Sequence, residues 1–332
     1  MRALQQIAFG DPADVVRLVN LPDPAPKPGE IVIRMEAAAV HLADIKRFMG
    51  ERGFRNMPLP NTPGYEGIGR VVAVGSSVTA FKPGDRVFPW WGASTFAELV
   101  CTPAAKVMPA PDGDAVQLSL MLVNGMSAVV LLEDYVSLGA GQWLLQNGAN
   151  SSCGRYLIVL AREKGVKTCN IVRRPEVAAE LKALGADAVV IDHEDPEVLA
   201  DRVRTATGNA DLKLGLDMVA GPATSRIAHC LSNGGLVVNY GYISGKPAEI
   251  HFTDLFQKDI KLVGMSTGRG LAKRSMDELR AIYAKLAGLI ASGEMRAAIA
   301  GTYTLDEYAD AFRHALRTGA DRDGKIILLP NG

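Results

Sequence analysis

The stretch Gln146-Asn147-Gly148-Ala149-Asn150-Ser151-Ser152-Cys153-Gly154 lies between the apolar run Trp143-Leu144-Leu145 and a helix-patterned segment that begins near Cys153. A turn that joins a strand to a helix and receives a pyrophosphate needs small residues where backbone meets phosphate and where helix packs on strand. Ala149, Ser151 and Gly154 fall at the three positions that glycines usually take in such a turn. Asn150, Ser151 and Ser152 add side-chain donors, and Asn147 and Cys153 complete the set of candidate contacts to a dinucleotide. Only one of the three key positions is glycine, so the same residues also fit an ordinary strand-to-helix turn.

The next apolar run ends Asn170-Ile171-Val172-Arg173-Arg174, about 20 residues past the turn, where an acidic residue would bind the 2′-hydroxyl of NAD. A carboxylate there would repel a 2′-phosphate, whereas a guanidinium fork holds one through charge-assisted hydrogen bonds. Arg173 and Arg174 therefore favour NADPH over NADH, the bland alternative being a solvated basic strand end.

Outward from this point the texture of the chain divides. Residues 118–258 alternate strand and amphipathic helix patterns, such as Leu236-Val237-Val238-Asn239 after the helical Ala223–Leu231 stretch. That alternation predicts crossover units and a doubly wound parallel sheet, an α/β fold of Rossmann type. Residues 1–117 read instead as short extended runs broken by turns like Phe81-Lys82-Pro83-Gly84-Asp85, the pattern of a compact β-rich domain. The remaining segment, 259–332, holds too few elements for a core of its own and is expected to return to that β-rich domain.

Bulk properties agree with two globular domains. The chain has 332 residues, more than one core usually serves. Lys plus Arg and Asp plus Glu number 36 each, so no net field draws nucleic acid or an anionic membrane. No apolar run approaches the ~18 residues that span a bilayer, and a cytoplasmic protein without a membrane or nucleic-acid partner is expected. The cysteines Cys101, Cys153, Cys169 and Cys230 form no Cys-x-x-Cys pair, which argues against a disulfide framework or a structural zinc site.

Pro63-Gly64-Tyr65-Glu66-Gly67, Lys82-Pro83-Gly84-Asp85-Arg86-Val87 and Gly324-Lys325-Ile326-Ile327-Leu328 together resemble the medium-chain dehydrogenase/reductase superfamily over nearly the whole chain. The resemblance implies a GroES-like catalytic domain beside the cofactor domain. A narrower likeness to 2-enoyl-thioester reductases rests on Asn147, Ala149-Asn150-Ser151 and Gly154, with weaker support from Asp44-Ile45, Leu122-Val123-Asn124 and Ser127-Ala128. By the same resemblance Tyr240 and Lys325 approach the cofactor, although a packed tyrosine and a solvated lysine fit equally well.

Zinc-dependent members of that superfamily place a cysteine where this chain has His41 and a histidine where it has Tyr65. One histidine is too few for a catalytic zinc, which normally has three protein ligands, so no metal is expected. An activated C=C bond accepts hydride without one, provided the enolate oxygen is stabilised and a proton supplied. The enoyl-thioester reductases associate a loop tyrosine with that proton, but the loop 50–60 holds no tyrosine, only Phe54. Tyr65 and His41 are the substitute candidates, against a packed tyrosine and a satisfied histidine.

Three rivals follow. A quinone or alkenal reductase would use the same fold, with Phe54, Trp90 and Trp91 facing a flat substrate, whereas Lys46, Arg47, Arg52 and Arg55 would suit the phosphates of an acyl carrier. A serine hydrolase is suggested by Gly264-Met265-Ser266-Thr267-Gly268 with Asp306 and His314 following. A non-enzymatic NADPH-binding protein of the zeta-crystallin kind is the third. A homodimer is expected through an exposed sheet edge, at Lys261–Gly264 or Gly235–Asn239.

Overall fold

The computed structural model describes residues 1–51, 53, 58–317 and 324–332. They form two compact units, residues 1–123 with 276–332 and residues 124–275.

In the first unit, β1 (Arg2–Gln6) and β2 (Val16–Asn20) pair as an antiparallel ribbon. The main sheet is built on β3 (Glu30–Val40), with β4 (Gly67–Val74), β5 (Arg86–Phe88), β6 (Leu99–Pro103) and β7 (Met108–Pro109). β3 is long because its β-branched run Ile31-Val32-Ile33 is buried on both faces and the strand then continues into Ala37-Ala38-Ala39, which are fully buried. Small side chains let β4 and a later strand close on both sides of it.

The second unit contributes β8 (Trp143–Asn147), β9 (Lys167–Val172), β10 (Ala188–Ile191), β11 (Leu214–Asp217), β12 (Leu236–Asn239) and β13 (Lys261–Gly264). They make one parallel sheet in the order β10-β9-β8-β11-β12-β13. One core of Leu145, Val203, Ile227 and Val237 and a second of Ala149, Ile158, Val172 and Leu181 form on it. Strand order reverses between β8 and β11, the place where doubly wound sheets bind ligands at their carboxyl ends.

The chain then returns to the first unit with β14 (Ile299–Thr304) and β15 (Lys325–Leu329). β15 pairs antiparallel with the far end of β3, and Phe312 of the Tyr308–Leu316 helix packs on Phe48, ring centroids 5.1 Å apart.

The boundaries differ from the sequence-based ones in two places. The second unit runs past residue 258 to Ser275, because β13 adds to β12 in register (Leu236 opposite Lys261) and the Thr267–Ala272 helix is tied to it. Ser127 Oγ lies 2.7 Å from Thr267 Oγ1, and Arg274 meets Asp134 at 2.7 Å. At its start, residues 118–123 stay with the first unit, where the Val123 N–H donates to Glu66 at 2.7 Å. Of the two candidate edges, Gly235–Asn239 is interior, since β12 is flanked by β11 and β13; β13 is the edge. The cysteines are all free, with Cys101 exposed and Cys153 and Cys169 buried. Among the described residues no helix is long and apolar enough to cross a membrane.

Candidate active site

In the first unit the motif Pro63-Gly64-Tyr65-Glu66-Gly67 makes a tight approach to the Thr95-Phe96 backbone. Gly64 has φ +109°, and a Cβ there would fall 2.7 Å from the Thr95 nitrogen and 2.8 Å from the Phe96 ring. Only glycine fits both the left-handed backbone and the space. The turn is fastened by Thr95 Oγ1 donating to the Glu66 carbonyl at 2.8 Å, so Tyr65 and Glu66 have fixed directions.

Glu66 points into the protein and is 1% exposed. Its Oε1 lies 2.6 Å from Nε2 of His41, itself 6% exposed, and its Oε2 accepts the Val123 N–H. Burial pushes the Glu66 carboxyl up to about 8, against the pull of the Val123 N–H and the Lys325 charge. His41 caps the Leu42–Met49 helix and donates its N–H to Asp44 Oδ2 at 2.9 Å. Asp44 is wholly buried, its Oδ1 has no hydrogen-bond partner, and burial pushes it up to about 7. On the other side of the imidazole, Lys325 Nζ stands 3.4 Å from His41 Nδ1. Ile326 is opposite Val40 in the β15–β3 register, which sets Lys325 beside His41 across the same ladder.

Tyr65 is half-buried beside Trp91, ring centroids 5.5 Å apart. Burial and then the Asp44 charge push its hydroxyl upward, partly offset by Arg47. The two sequence candidates for catalysis, His41 and Tyr65, are thus brought into one cluster with Asp44, Glu66 and Lys325. Trp90 stacks instead on Tyr283, at 6.5 Å between centroids. Lys46 and Arg47 are buried, paired with Glu51 and Asn61, so they are not exposed cations of the kind expected to meet the phosphates of an acyl carrier. Arg52, Phe54 and Arg55 lie outside the described residues. The hydrolase reading fails here: His314 Nδ1 bonds the Tyr303 hydroxyl at 2.7 Å, Asp306 pairs with Arg2, and Ser266 caps a helix.

In the second unit the quoted turn ends β8 and starts the Ser152–Glu163 helix, capped by Ser151 Oγ accepting the Gly154 N–H at 3.1 Å. Gly148 bends with φ +59°. A Cβ on Gly154 would come within 2.7 Å of the Ala149 carbonyl oxygen, so the third position is glycine because the helix sits directly on the turn. Ala149 is fully buried and offers only backbone, Ser152 and Cys153 are buried in the first helical turn, and Arg155 secures the Asn150 carbonyl through Nε at 3.0 Å while gripping Glu180 with its two terminal guanidinium nitrogens. Asn147 ties strands together, donating to Asp217 Oδ1 and accepting the Met218 N–H, each at 2.7 Å. Tyr240 follows β12 with its hydroxyl buried near Ser151 and Cys153, held far above its ordinary value by burial. Arg173 and Arg174 follow β9; Arg173 is exposed and Arg174 half-buried, its Nε 3.8 Å from Glu176. Lys325 belongs to the first unit, with the histidine cluster.

Asp217 is the residue sequence reasoning missed. At the end of β11 it accepts from Asn147, Asn239, Thr224 and the Val219 and Ala220 N–H groups, binding the carboxyl ends of three neighbouring strands. Its signal was a lone carboxylate closing the apolar run Leu214-Gly215-Leu216.

Residues 27–112 match the alcohol dehydrogenase GroES-like domain and residues 153–285 the zinc-binding dehydrogenase family. The chain is 35% identical over 302 residues to an Arabidopsis thaliana mitochondrial enoyl-[acyl-carrier-protein] reductase, covering 89% of this chain and 80% of that protein. Among solved structures, a mycobacterial protein complexed with NADPH superposes with a TM-score of 0.85 at 28% identity, over 99% of this chain and 100% of the other. A mycobacterial quinone oxidoreductase superposes with a TM-score of 0.83, also at 28% identity and with the same coverage. The chain belongs to the medium-chain dehydrogenase/reductase superfamily.

Proposed function

We propose that this chain is an NADPH-dependent reductase of an activated C=C bond, with a 2-enoyl thioester as its substrate and no catalytic metal. The observation that carries the reading is the capped turn from Asn147 to Gly154 followed, after the next strand, by Arg173 and Arg174 where a carboxylate would exclude a 2′-phosphate. Identity to an enoyl reductase over most of both chains supplies the substrate class.

The turn suits the dinucleotide on its own geometry. Gly154 leaves no room for a side chain, Ser151 holds the first helical turn, and the positive end of a twelve-residue helix dipole favours an anion. Asn150, Ser151 and Ser152 would meet the pyrophosphate, Arg173 and Arg174 the 2′-phosphate, and Asn147, Ala149, Cys153 and Tyr240 would shape the floor. The dinucleotide supplies hydride when bound. The first unit's task is then to stabilise the enolate oxygen and deliver a proton, for which Tyr65 and His41 are the groups set beside buried acids. The His41 ring faces Glu66 and the Lys325 ammonium, and a cation placed there would be repelled by the lysine. Among the described residues no group of three or more His, Cys, Asp or Glu side chains is placed to hold a metal ion.

A second reading, quinone or alkenal reduction, is favoured by the aromatic wall of Tyr65 and Trp91 and by likeness to a quinone oxidoreductase. A homodimer and a cytoplasmic location complete the proposal; β13 supports the first, with Leu262 and Val263 exposed on an unpaired edge. The test is NADPH oxidation with crotonyl-CoA, longer enoyl-CoAs, an alkenal and a benzoquinone. Fastest turnover with an enoyl thioester is expected. Turnover of quinone alone would install the second reading, and NADPH binding without any turnover would point to a protein of the zeta-crystallin kind.

A further inference from the structure

Arg155 is a cation in an unfavourable place. It lies in the first turn of the Ser152–Glu163 helix, where the positive end of the helix dipole disfavours a positive charge, and its side chain is only 6% exposed. Taking a guanidinium out of water there has a desolvation cost that an apolar side chain would not incur. All three of its nitrogens are engaged within the second unit. Nε donates to the Asn150 carbonyl at 3.0 Å, and the two terminal nitrogens donate to the two oxygens of Glu180 at 2.5 Å and 2.7 Å.

The two ends of this strut belong to the two anion subsites. Asn150 stands in the middle of the turn read above as the pyrophosphate site. Glu180 lies on the Ala178–Ala183 helix, which follows Arg173 and Arg174 through the short turn Pro175–Val177. That helix buries only Leu181 of its own residues, and one apolar contact sets its depth on the sheet without fixing its rotation. A bidentate guanidinium–carboxylate fork does fix it, because both hydrogen bonds are directional. Direct pairing of β8 with β9 ends with Asn147 opposite Ile171, short of the turn and of the arginines. Beyond that register, the fork ties the turn to the segment that carries Arg173 and Arg174.

We propose that Arg155 and Glu180 are positioning residues for NADPH selectivity, holding Arg173 and Arg174 at the separation from the pyrophosphate turn that a 2′-phosphate requires. The inference rests on the reading of those two arginines given above. Only NADPH spans both subsites, whereas NADH uses the turn alone, so loss of the strut weakens the first cofactor and spares the second. Arginines that had to be ordered during binding would lose affinity to that ordering. Neither strut residue contacts the cofactor in this role. The hydrogen bonds from Arg155 hold the Glu180 carboxyl below its ordinary value, so it remains an anion that would repel a phosphate placed against it. As a unit the pair is neutral, and its effect is geometric.

The test measures NADPH and NADH dissociation constants by calorimetry for wild type, Arg155→Met and Glu180→Ala. Arg155→Met keeps an apolar stem and returns Glu180, 57% exposed, to water, so the fold should survive, with a urea midpoint close to that of the wild type. NADPH binding should weaken about tenfold, the low end of the range for one hydrogen bond to a charged group, and NADH binding should stay within about twofold. In a chain that already carries Arg173→Ala and Arg174→Ala, adding Arg155→Met should change NADPH affinity by less than about twofold, because the strut acts only through those arginines. Glu180→Ala, at an exposed position, should show the same selective loss and serves alone if Arg155→Met does not fold. A merely structural role would weaken both cofactors alike and would persist without the two arginines; either result overturns the proposal. Tighter NADPH binding by Glu180→Ala would make Arg155 a direct phosphate ligand and also overturns it. A wild type without preference for NADPH, or one whose preference survives loss of both arginines, overturns the underlying reading. A preference that depends on the arginines yet is untouched by Arg155→Met and Glu180→Ala overturns this inference alone.

Discussion

An alanine Cβ at position 154 would stand 2.7 Å from the Ala149 carbonyl oxygen and 2.8 Å from its Cα, closer than any carbon rests against backbone. The contact is between a helix and the turn that starts it, so neither side can yield alone. Gly154→Ala should therefore destabilise the protein by about 1–3 kcal/mol, the cost of overpacking a tight site, and should weaken NADPH binding as well. Urea denaturation and a binding isotherm measure the two. Wild-type values in both would mean that the turn relaxes freely.

Arg173 and Arg174 give the sharpest statement about cofactor choice. Converting both to neutral residues should weaken NADPH binding and leave NADH almost unchanged, since only NADPH carries the phosphate. Loss of one hydrogen bond to a charged group corresponds to about a tenfold to hundredfold change in dissociation constant. Arg174 has Glu176 within 3.8 Å and Arg173 is exposed, so the single change at 173 should account for most of the effect. Added salt should erode the wild-type preference. Equal losses for both cofactors would instead assign the arginines to the fold.

The buried carboxyls predict how stability depends on pH. Glu66 is raised from 4.5 to about 8 and Asp44 from 3.8 to about 7, in each case chiefly by burial. The folded state therefore holds these protons more tightly than the unfolded chain. Their contribution is fully present below about pH 4 and is lost as pH rises through about 7 for Asp44 and about 8 for Glu66. The unfolding free energy should fall across that window, and Glu66→Gln should flatten the upper part of the fall. A wild-type curve that rises between neutral and mildly alkaline pH would contradict this.

At the edge of the parallel sheet, β13 leaves Leu262 and Val263 exposed, and the preceding helix exposes the stacked rings of Phe252 and Phe256. Pairing of this edge with a second copy would cover it. Sedimentation should show a dimer at micromolar concentration, and Val263→Glu should shift it toward monomer with the fold intact by circular dichroism. A monomeric wild type would rule this assembly out.

The parallel sheet was legible in the sequence because its strands are continuous apolar runs separated by helix-period segments, and the turn from Asn147 to Gly154 because small residues cluster there. Boundaries were less legible. The run Lys261-Leu262-Val263-Gly264 reads as a strand wherever it is placed, and only its register with Leu236–Asn239 assigns it to the second unit. The site was legible by halves. His41 and Tyr65 stood out as residue types, but the depth of Glu66 and Asp44 depends on the fold around them. Lys325 pointed toward the cofactor by resemblance; its place beside His41 comes from pairing of β15 with β3, across nearly the whole chain. Asp217 went unnoticed because two of its five donors, Asn147 and Asn239, come from strands 70 and 22 residues away, and only the parallel sheet brings them to it.

The position of β15 has a consequence for biosynthesis. Residues 124–275 are contiguous and can condense as soon as they leave the ribosome. The first unit cannot: β3 is made early, yet the strand that covers its Ala38–Val40 end is β15, translated near the end of the chain. Until then the nascent protein carries an open, apolar β-edge, the kind of surface that chaperones shield and that misassembles when they do not. The same late strand brings Lys325 to His41, so the histidine cluster is the last part of the molecule to be assembled, and a chain released a few residues early would fold its second unit and lack its chemistry.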